Sequence, residues 1–273
     1  MCRLVFLTQK QIRKMNVKSL AEYLKQIEKN GGGHGNGIGY KIRGKYVIRK
    51  GVKFSMDKIA NFIKANQEML RYGVLIHSRL ASTSKVSDNR CHPILSPNKR
   101  YAIIHNGTLS NHYIINTLLK IIGYHGLNDH DTKTLATLIE MCFDHSIFKI
   151  LEISFGAVII QNVKNGMIYA IREGYYSLTM SKRGYWIATE PLEKKGVLEL
   201  ETNTIVKLNP RTNHYRVLCG ELKKYKPKRY RYGYGYGGYG YYDFDLMDFD
   251  DDYYRSRSNR IYVKTLDELI ERW

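Results

Sequence analysis

Helical patterns followed by a long run of short strands mark this sequence as α+β with largely antiparallel sheets. Three observations carry that reading. Up to about residue 143, four stretches with helix-spaced apolar residues are interleaved with short strand-like runs. From 153 to 218 only strand-like runs separated by turns follow, namely FGAVIIQNV, MIYAIRE, YSLTMS, YWIATE, NTIVKLN and HYRVL. No period of 20–50 residues recurs, which excludes a repeat protein.

Taken in order, residues 3–7 predict a strand. The spacing of Val17, Leu20, Ala21, Leu24 and Ile27 predicts a helix over 18–29. GIGYKIRGKYVIRKG reads as a hairpin turning near Arg43-Gly44. Ser55 is placed to cap a helix carrying Ile59, Phe62, Ile63 and Leu70. The strands VLIHS (74–78) and YAIIHN (101–106) flank a long polar loop, and helices are expected at about 110–122 and 131–143. After these, KKYKPKRYRY, GYGYGGYGYY and DFDLMDFDDDYY (223–254) have no apolar period able to build a core. The chain therefore divides into a domain over 2–222, a low-complexity flexible tail over 223–260, and a short amphipathic helix over 261–273. In that last segment Leu266, Leu269, Ile270 and Trp273 share one face.

The formal net charge is +19, and residues 223–273 supply little of it because their basic and acidic residues nearly cancel. A basic folded surface attracts polyanions, although a charge run is more often only a solvated face. The four cysteines are scattered without CxxC pairing, which excludes a zinc ribbon or a disulfide scaffold and points to a reducing, cytoplasmic setting. No apolar run of membrane-spanning length and no secretory leader pattern is present, so no membrane association is expected.

Five segments carry chemistry. Cys2 follows the initiator; with Met1 removed, it would hold a thiol nucleophile and an α-amino base in one residue. GGGHGNGIGY (31–40), containing Gly35, Asn36 and Gly37, demands unusual backbone or close approach, yet lacks the Gly-Lys-Ser/Thr ending of a P-loop. In HSRLAST (77–83), Arg79 stands at a strand end, where a guanidinium can grip a carboxylate with two N–H groups. In HNGTLSN (105–111), Asn106 beside the backbone N–H of Gly107 is suitable equipment for an oxyanion hole. Asp131 opens a helix in DHDTKTLATLIE, where a plain cap is the simplest reading.

In this order, over residues 2–140, the five segments resemble the class II glutamine amidotransferases, which have the N-terminal nucleophile hydrolase fold. The strand-rich stretch 153–218 resembles the rest of that domain. The resemblance implies a four-layer αββα sandwich of two mainly antiparallel sheets. It further implies that L-glutamine is attacked by Cys2 at its side-chain amide carbon, with Asn106 and Gly107 stabilising the oxyanion. Arg79 would hold the glutamine α-carboxylate and Asp131 its α-ammonium, with Gly35, Asn36 and Gly37 in a loop near the site. The sequence departs from the family at Leu80-Ala81-Ser82-Thr83, which leaves open whether Ser82 or Thr83 touches substrate. It also has Asn36 where an Asp is common. His77, His92 and His105 are expected to be structural, and neither a metal nor another cofactor is expected.

The resulting expectation is a glutamine-hydrolysing amidotransferase subunit that releases ammonia through a Cys2 γ-glutamyl thioester. Its acceptor would be supplied by a separate synthase chain, because the Tyr/Gly/Asp tail offers no second catalytic core. Two alternatives stay open: a stand-alone N-terminal nucleophile amidohydrolase, and a catalytically silent fold that binds nucleic acid or an assembly through its basic surface and Tyr-Arg tail.

Overall fold

The computed structural model of the protein describes residues 2–81, 85–124 and 130–226. The expected flexible tail beyond 226 and the expected helix over 261–273 lie outside the described residues. In chain order the first half contains β1 (Arg3–Leu7), α1 (Gln9–Lys14), α2 (Val17–Gly31), β2 (Asn36–Ile42), β3 (Lys45–Gly51), α3 (Met56–Ala65) and β4 (Val74–Ser78). There follow β5 (Ile94–Leu95), β6 (Tyr101–Asn106), α4 (His112–Ile121) and α5 (Asp131–His145). The second half is all strand: β7 (Ala157–Asn162), β8 (Ile168–Arg172), β9 (Thr179–Ser181), β10 (Trp186–Ala188), β11 (Val197–Leu200), β12 (Thr204–Leu208), β13 (Tyr215–Cys219) and β14 (Leu222–Lys224).

Side-chain alternation along β1 sets the layering. Val5 and Leu7 pack with Ile12, Leu20, Leu24 and Ile59 of the first three helices, whereas Leu4 and Phe6 face the other way. There they meet Ala102, Ile104, Ile159, Ala170 and Val206 of a second sheet. On β6, Tyr101 faces outward instead and stacks on Phe143 of α5 at 4.4 Å. The order helix, sheet, sheet, helix is the expected αββα sandwich.

The first sheet runs β14-β11-β9-β10-β1-β4-β2-β3, and the second β13-β12-β8-β7-β6-β5. Every pairing among the described strands is antiparallel. β1 lies in the middle of its sheet, with Arg3 opposite Ser78 and Val5 opposite Ala188. That register sets Cys2, one residue before Arg3, beside the chain leaving β4.

The hairpin turns as expected at Arg43-Gly44, where φ is 49° and 79°. The third helix is shorter than its apolar spacing suggests. It stops at Ala65, where Asn66 turns its side chain back onto the Phe62 carbonyl, and Leu70 is buried from the following turn. α1 and β11 have no counterpart in the sequence reading. α1 spans six residues and buries only Gln11 and Ile12, too few to show a helical period. β14 extends to Lys224, two residues past the expected boundary at 222, and its Leu222 pairs with Leu200.

Candidate active site

The nucleophile candidate is held by the ends of two adjacent strands. Arg3 anchors the start of β1, its Nε 2.7 Å from Glu190 and its Nη2 donating to the Asn30 carbonyl at 2.9 Å. Across the sheet, the Leu80 N–H donates to Cys2 Sγ at 3.4 Å, and the thiol stands 3.6 Å from the Leu80 carbonyl. Burial pushes the Cys2 thiol above its ordinary pKa. The Leu80 N–H, the chain's amino terminus and Arg79 oppose that rise, and Asp131 adds to it. The sulfur therefore lies within electrostatic reach of two cations, the amino terminus and Arg79, and one anion, Asp131.

The glycine-rich segment acts through its backbone. The Gly35 carbonyl accepts from the Arg79 N–H at 2.8 Å, and the His34 N–H donates to the Arg79 carbonyl at 2.9 Å. His34 Nδ1 then accepts from the Ala81 N–H at 2.9 Å. This loop thereby fixes the backbone that carries Arg79, itself only 6% exposed. Gly37 is required by packing, since a Cβ there would sit 1.9 Å from the His92 carbonyl oxygen. Asn36, expected in a loop near the site, stands in a strand instead. It opens β2 with its side chain buried, donating to Glu28 at 2.6 Å and to the Phe54 carbonyl at 2.8 Å. Its Oδ1 accepts from Ser78 at 2.8 Å, so the amide is committed to bracing the end of β4.

Asn106 and Gly107 end β6 in the opposite sheet. Gly107 has φ +149°, and a Cβ would lie 1.9 Å from the Phe155 carbonyl oxygen, so only glycine keeps this bend. His105 clamps the same corner. Its Nε2 must donate to the Phe155 carbonyl at 2.8 Å, which leaves Nδ1, 3.1 Å from the Thr132 hydroxyl, as an acceptor. Asp131 opens α5 with Oδ1 accepting from the Thr132 N–H at 2.7 Å and Oδ2 from the Leu109 N–H at 3.4 Å. Burial pushes its carboxyl up, but His105, His130 and these two N–H groups outweigh that and hold it below the ordinary value.

Four imidazoles fill the space between the sheets and α5. His77 donates Nε2–H to the His105 carbonyl at 3.2 Å, joining one sheet to the other. Its ring centre is 4.2 Å from that of His92, which is 5.9 Å from His130. Burial pushes His77 down to about 3 and His130 to about 4, and holds His92 well below its ordinary value. These rings are neutral at neutral pH. Among the described residues, no group of three or more His, Cys, Asp or Glu could hold a metal ion. No helix among them is long and apolar enough to cross a membrane.

Ser82 and Thr83, the open substrate-contact candidates, lie outside the described residues. Two residues absent from the sequence reading belong to this region. Tyr176 packs over Gly156, and its hydroxyl is raised by burial and by the charges of Cys2 and Asp131. Glu173, fully buried, accepts from the Phe155 N–H at 3.0 Å and the Gly156 N–H at 3.4 Å, bracing the turn against which Gly107 packs. With 23 tyrosines in the chain, no sequence signal separates Tyr176 from the others.

Residues 77–192 match the model of a glutamine amidotransferase domain, a span that includes Arg79, Asn106, Gly107 and Asp131 but not Cys2. Among curated relatives is the glutamine–fructose-6-phosphate aminotransferase (isomerizing) of Buchnera aphidicola. It is 28% identical over 174 residues, 60% of this chain and 28% of the relative. The enzyme of the same name from Sulfolobus acidocaldarius is 24% identical over 200 residues, 70% of this chain and 33% of the relative. The chain thus spans about a third of the length of these relatives. Among solved structures, the glutamine phosphoribosylpyrophosphate amidotransferase of B. subtilis, complexed with ADP and GMP, aligns with a TM-score of 0.58 at 18% identity. It covers 79% of this chain and 48% of that one, and shares the fold. Residues 77–192 thus match a glutamine amidotransferase domain, and the two facing antiparallel sheets share the fold of the B. subtilis amidotransferase.

Proposed function

We propose that the protein hydrolyses L-glutamine at Cys2 and releases ammonia for an acceptor held by a separate chain. The feature that carries this reading is electrostatic: among side chains, the Arg79 guanidinium lowers and the Asp131 carboxylate raises the pKa of the Cys2 thiol, so charges of both signs act on the sulfur. An α-amino acid presents one carboxylate and one ammonium, so this pair suits a zwitterion whose side chain ends at the thiol.

With Met1 removed, the Cys2 α-amine takes the thiol proton as sulfur attacks the amide carbon. The carbonyl oxygen becomes an oxyanion that accepts hydrogen bonds from the Asn106 side chain and the Gly107 N–H, a contribution of about 3–4 kcal/mol per donor. The ammonium returns its proton to the departing NH₂, ammonia leaves, and a γ-glutamyl thioester remains. Water, deprotonated by the same amine, attacks the thioester and regenerates the thiol with release of glutamate. Burial favours the neutral thiol in the resting enzyme, so sulfur becomes a strong nucleophile only as its proton is transferred.

The test is the amount of glutamate and ammonia formed by the purified full-length protein. Equal amounts are expected from the wild type, and Cys2→Ala should lower the rate about a thousandfold or more. An unchanged rate in Cys2→Ala would remove Cys2 from the reaction.

A further inference from the structure

One concavity has none of Cys2, Arg79, Asn106 and Asp131 in its lining. It is a groove of about 1170 Å³ between β3 with its following turn, the 87–95 segment and the start of α5. Arg49, Lys50, Lys53, Arg90, Lys133 and His130 line it, with Asp88 as the single carboxylate. Asp88 is already engaged, its Oδ1 accepting from the Val52 N–H at 2.7 Å. Among the described residues, no carboxylate stands within ion-pair distance of Arg49, Lys50 or Lys53. Arg49, Lys50 and Lys53 alone outnumber the lining carboxylate three to one among the described residues, a surface that favours a multiply charged anion.

His130 provides an independent sign of a ligand. Its side chain is more than nine-tenths buried, it lines the groove, and among the described residues neither ring nitrogen has a hydrogen-bond partner. Asp131 Oδ1 stands 3.8 Å from Nδ1, beyond hydrogen-bond reach. Leaving a buried polar group unsatisfied costs about 1–3 kcal/mol, so such a group commonly marks a site that something else completes. The neutral ring offers one N–H donor and one lone pair. Lys50 is restrained in the same wall: its ammonium donates to the carbonyls of Cys91 at 2.7 Å and Pro93 at 3.2 Å. Burial pulls it down to about 8, with Lys133 adding to that fall. A bound anion would relieve this strain on the ammonium.

We infer that this groove binds a small diphosphate- or triphosphate-bearing molecule, with Arg49, Lys50 and Lys53 holding the phosphate oxygens and His130 donating to one of them. The size favours a small ligand over a polymer, since it is close to the roughly 300–1,000 Å³ of small-molecule sites. The site is distinct from the one proposed for glutamine and stands whether or not that reaction occurs. A ligand there would sit one residue from Asp131.

Isothermal titration of the full-length protein with inorganic pyrophosphate and with ATP, at about 50 mM salt, tests this directly. Saturable binding with a Kd below about 1 mM is expected for both, with tighter binding of ATP showing that the nucleoside adds contacts. Arg49 and Lys53 are exposed, so Arg49→Ala/Lys53→Ala should keep its melting temperature while weakening pyrophosphate about tenfold or more. His130→Phe should weaken it by a similar factor and, if it folds, raise stability by removing the orphaned nitrogens. No saturable binding of either ligand, or equal affinity in the double variant, would overturn the inference. So would a ten-nucleotide single strand that binds more tightly than ATP and loses affinity with the same substitutions, which would make the groove a nucleic-acid surface.

Discussion

Two charged regions of the molecule are joined through the rings of His77, His92 and His130, and they differ in balance. At Cys2 the nearby side-chain charges are one cation and one anion; among the described residues lining the groove beside His130 the cations outnumber the carboxylate five to one. Sites so different in net charge select different ligands. A balanced pair fits a zwitterion and gains its specificity from separation and geometry, whereas an unbalanced wall fits a polyanion and depends on charge. The rings between them are kept neutral by burial, so they separate the two fields without adding charge to either.

Among the groups around the nucleophile, the largest effect should come at the oxyanion position. Asn106→Ala is expected to lower kcat for glutamine by about a hundredfold or more with a smaller change in KM, since an oxyanion donor acts mainly in the transition state. Steady-state kinetics separate the two parameters, and a change confined to KM would make Asn106 a substrate-positioning group. Next comes geometry at the balanced site. Arg79→Lys keeps the charge and loses the planar fork, so KM should rise about tenfold to a hundredfold while the circular dichroism spectrum is preserved. An unchanged KM would mean that charge alone suffices there, and the contrast between the regions would narrow.

Stability probes the material between them. Folded His77 titrates near 3 and His130 near 4, whereas an unfolded histidine titrates near ~6.5. As pH falls below that value the unfolded chain takes up protons first, so the contribution of neutral rings is full above about pH 6.5 and is lost towards pH 3. The melting temperature should therefore fall steadily between about pH 6.5 and pH 4, and a flat profile would show that the rings do not titrate on unfolding. The smallest effect is expected from salt at the balanced site. Raising it from about 50 to about 300 mM should leave the glutamine KM within about twofold while weakening pyrophosphate in the groove, because screening acts most strongly on net charge.

Much of the first region was legible in the sequence, and most of the second was not. Cys2, Arg79, Asn106, Gly107 and Asp131 are reactive or special residue types set at the ends of clear apolar runs, so motif and position coincide. The antiparallel α+β plan was legible for the same reason, since the strands of the second half alternate with turns. Asn36 reads as a loop residue because it lies among glycines, yet it opens β2 with its amide in a buried network with Glu28 and Ser78. Glu173 and Tyr176 gave no signal because their importance comes from the turn they brace or cover, and that turn forms only when β7 and β8 pair. The groove draws its cations from β3, the 87–95 segment and α5, so its charge is visible only once these meet.

The central claim is that the N-terminal cysteine is the nucleophile for glutamine. Mass spectrometry of the full-length protein after incubation with an electrophilic glutamine analogue tests it most directly. A single adduct is expected, carried by a peptide that begins at Cys2 without Met1 and absent when glutamine is present in excess. An adduct at Cys91, Cys142 or Cys219, or full glutaminase activity in protein that retains Met1, would contradict it.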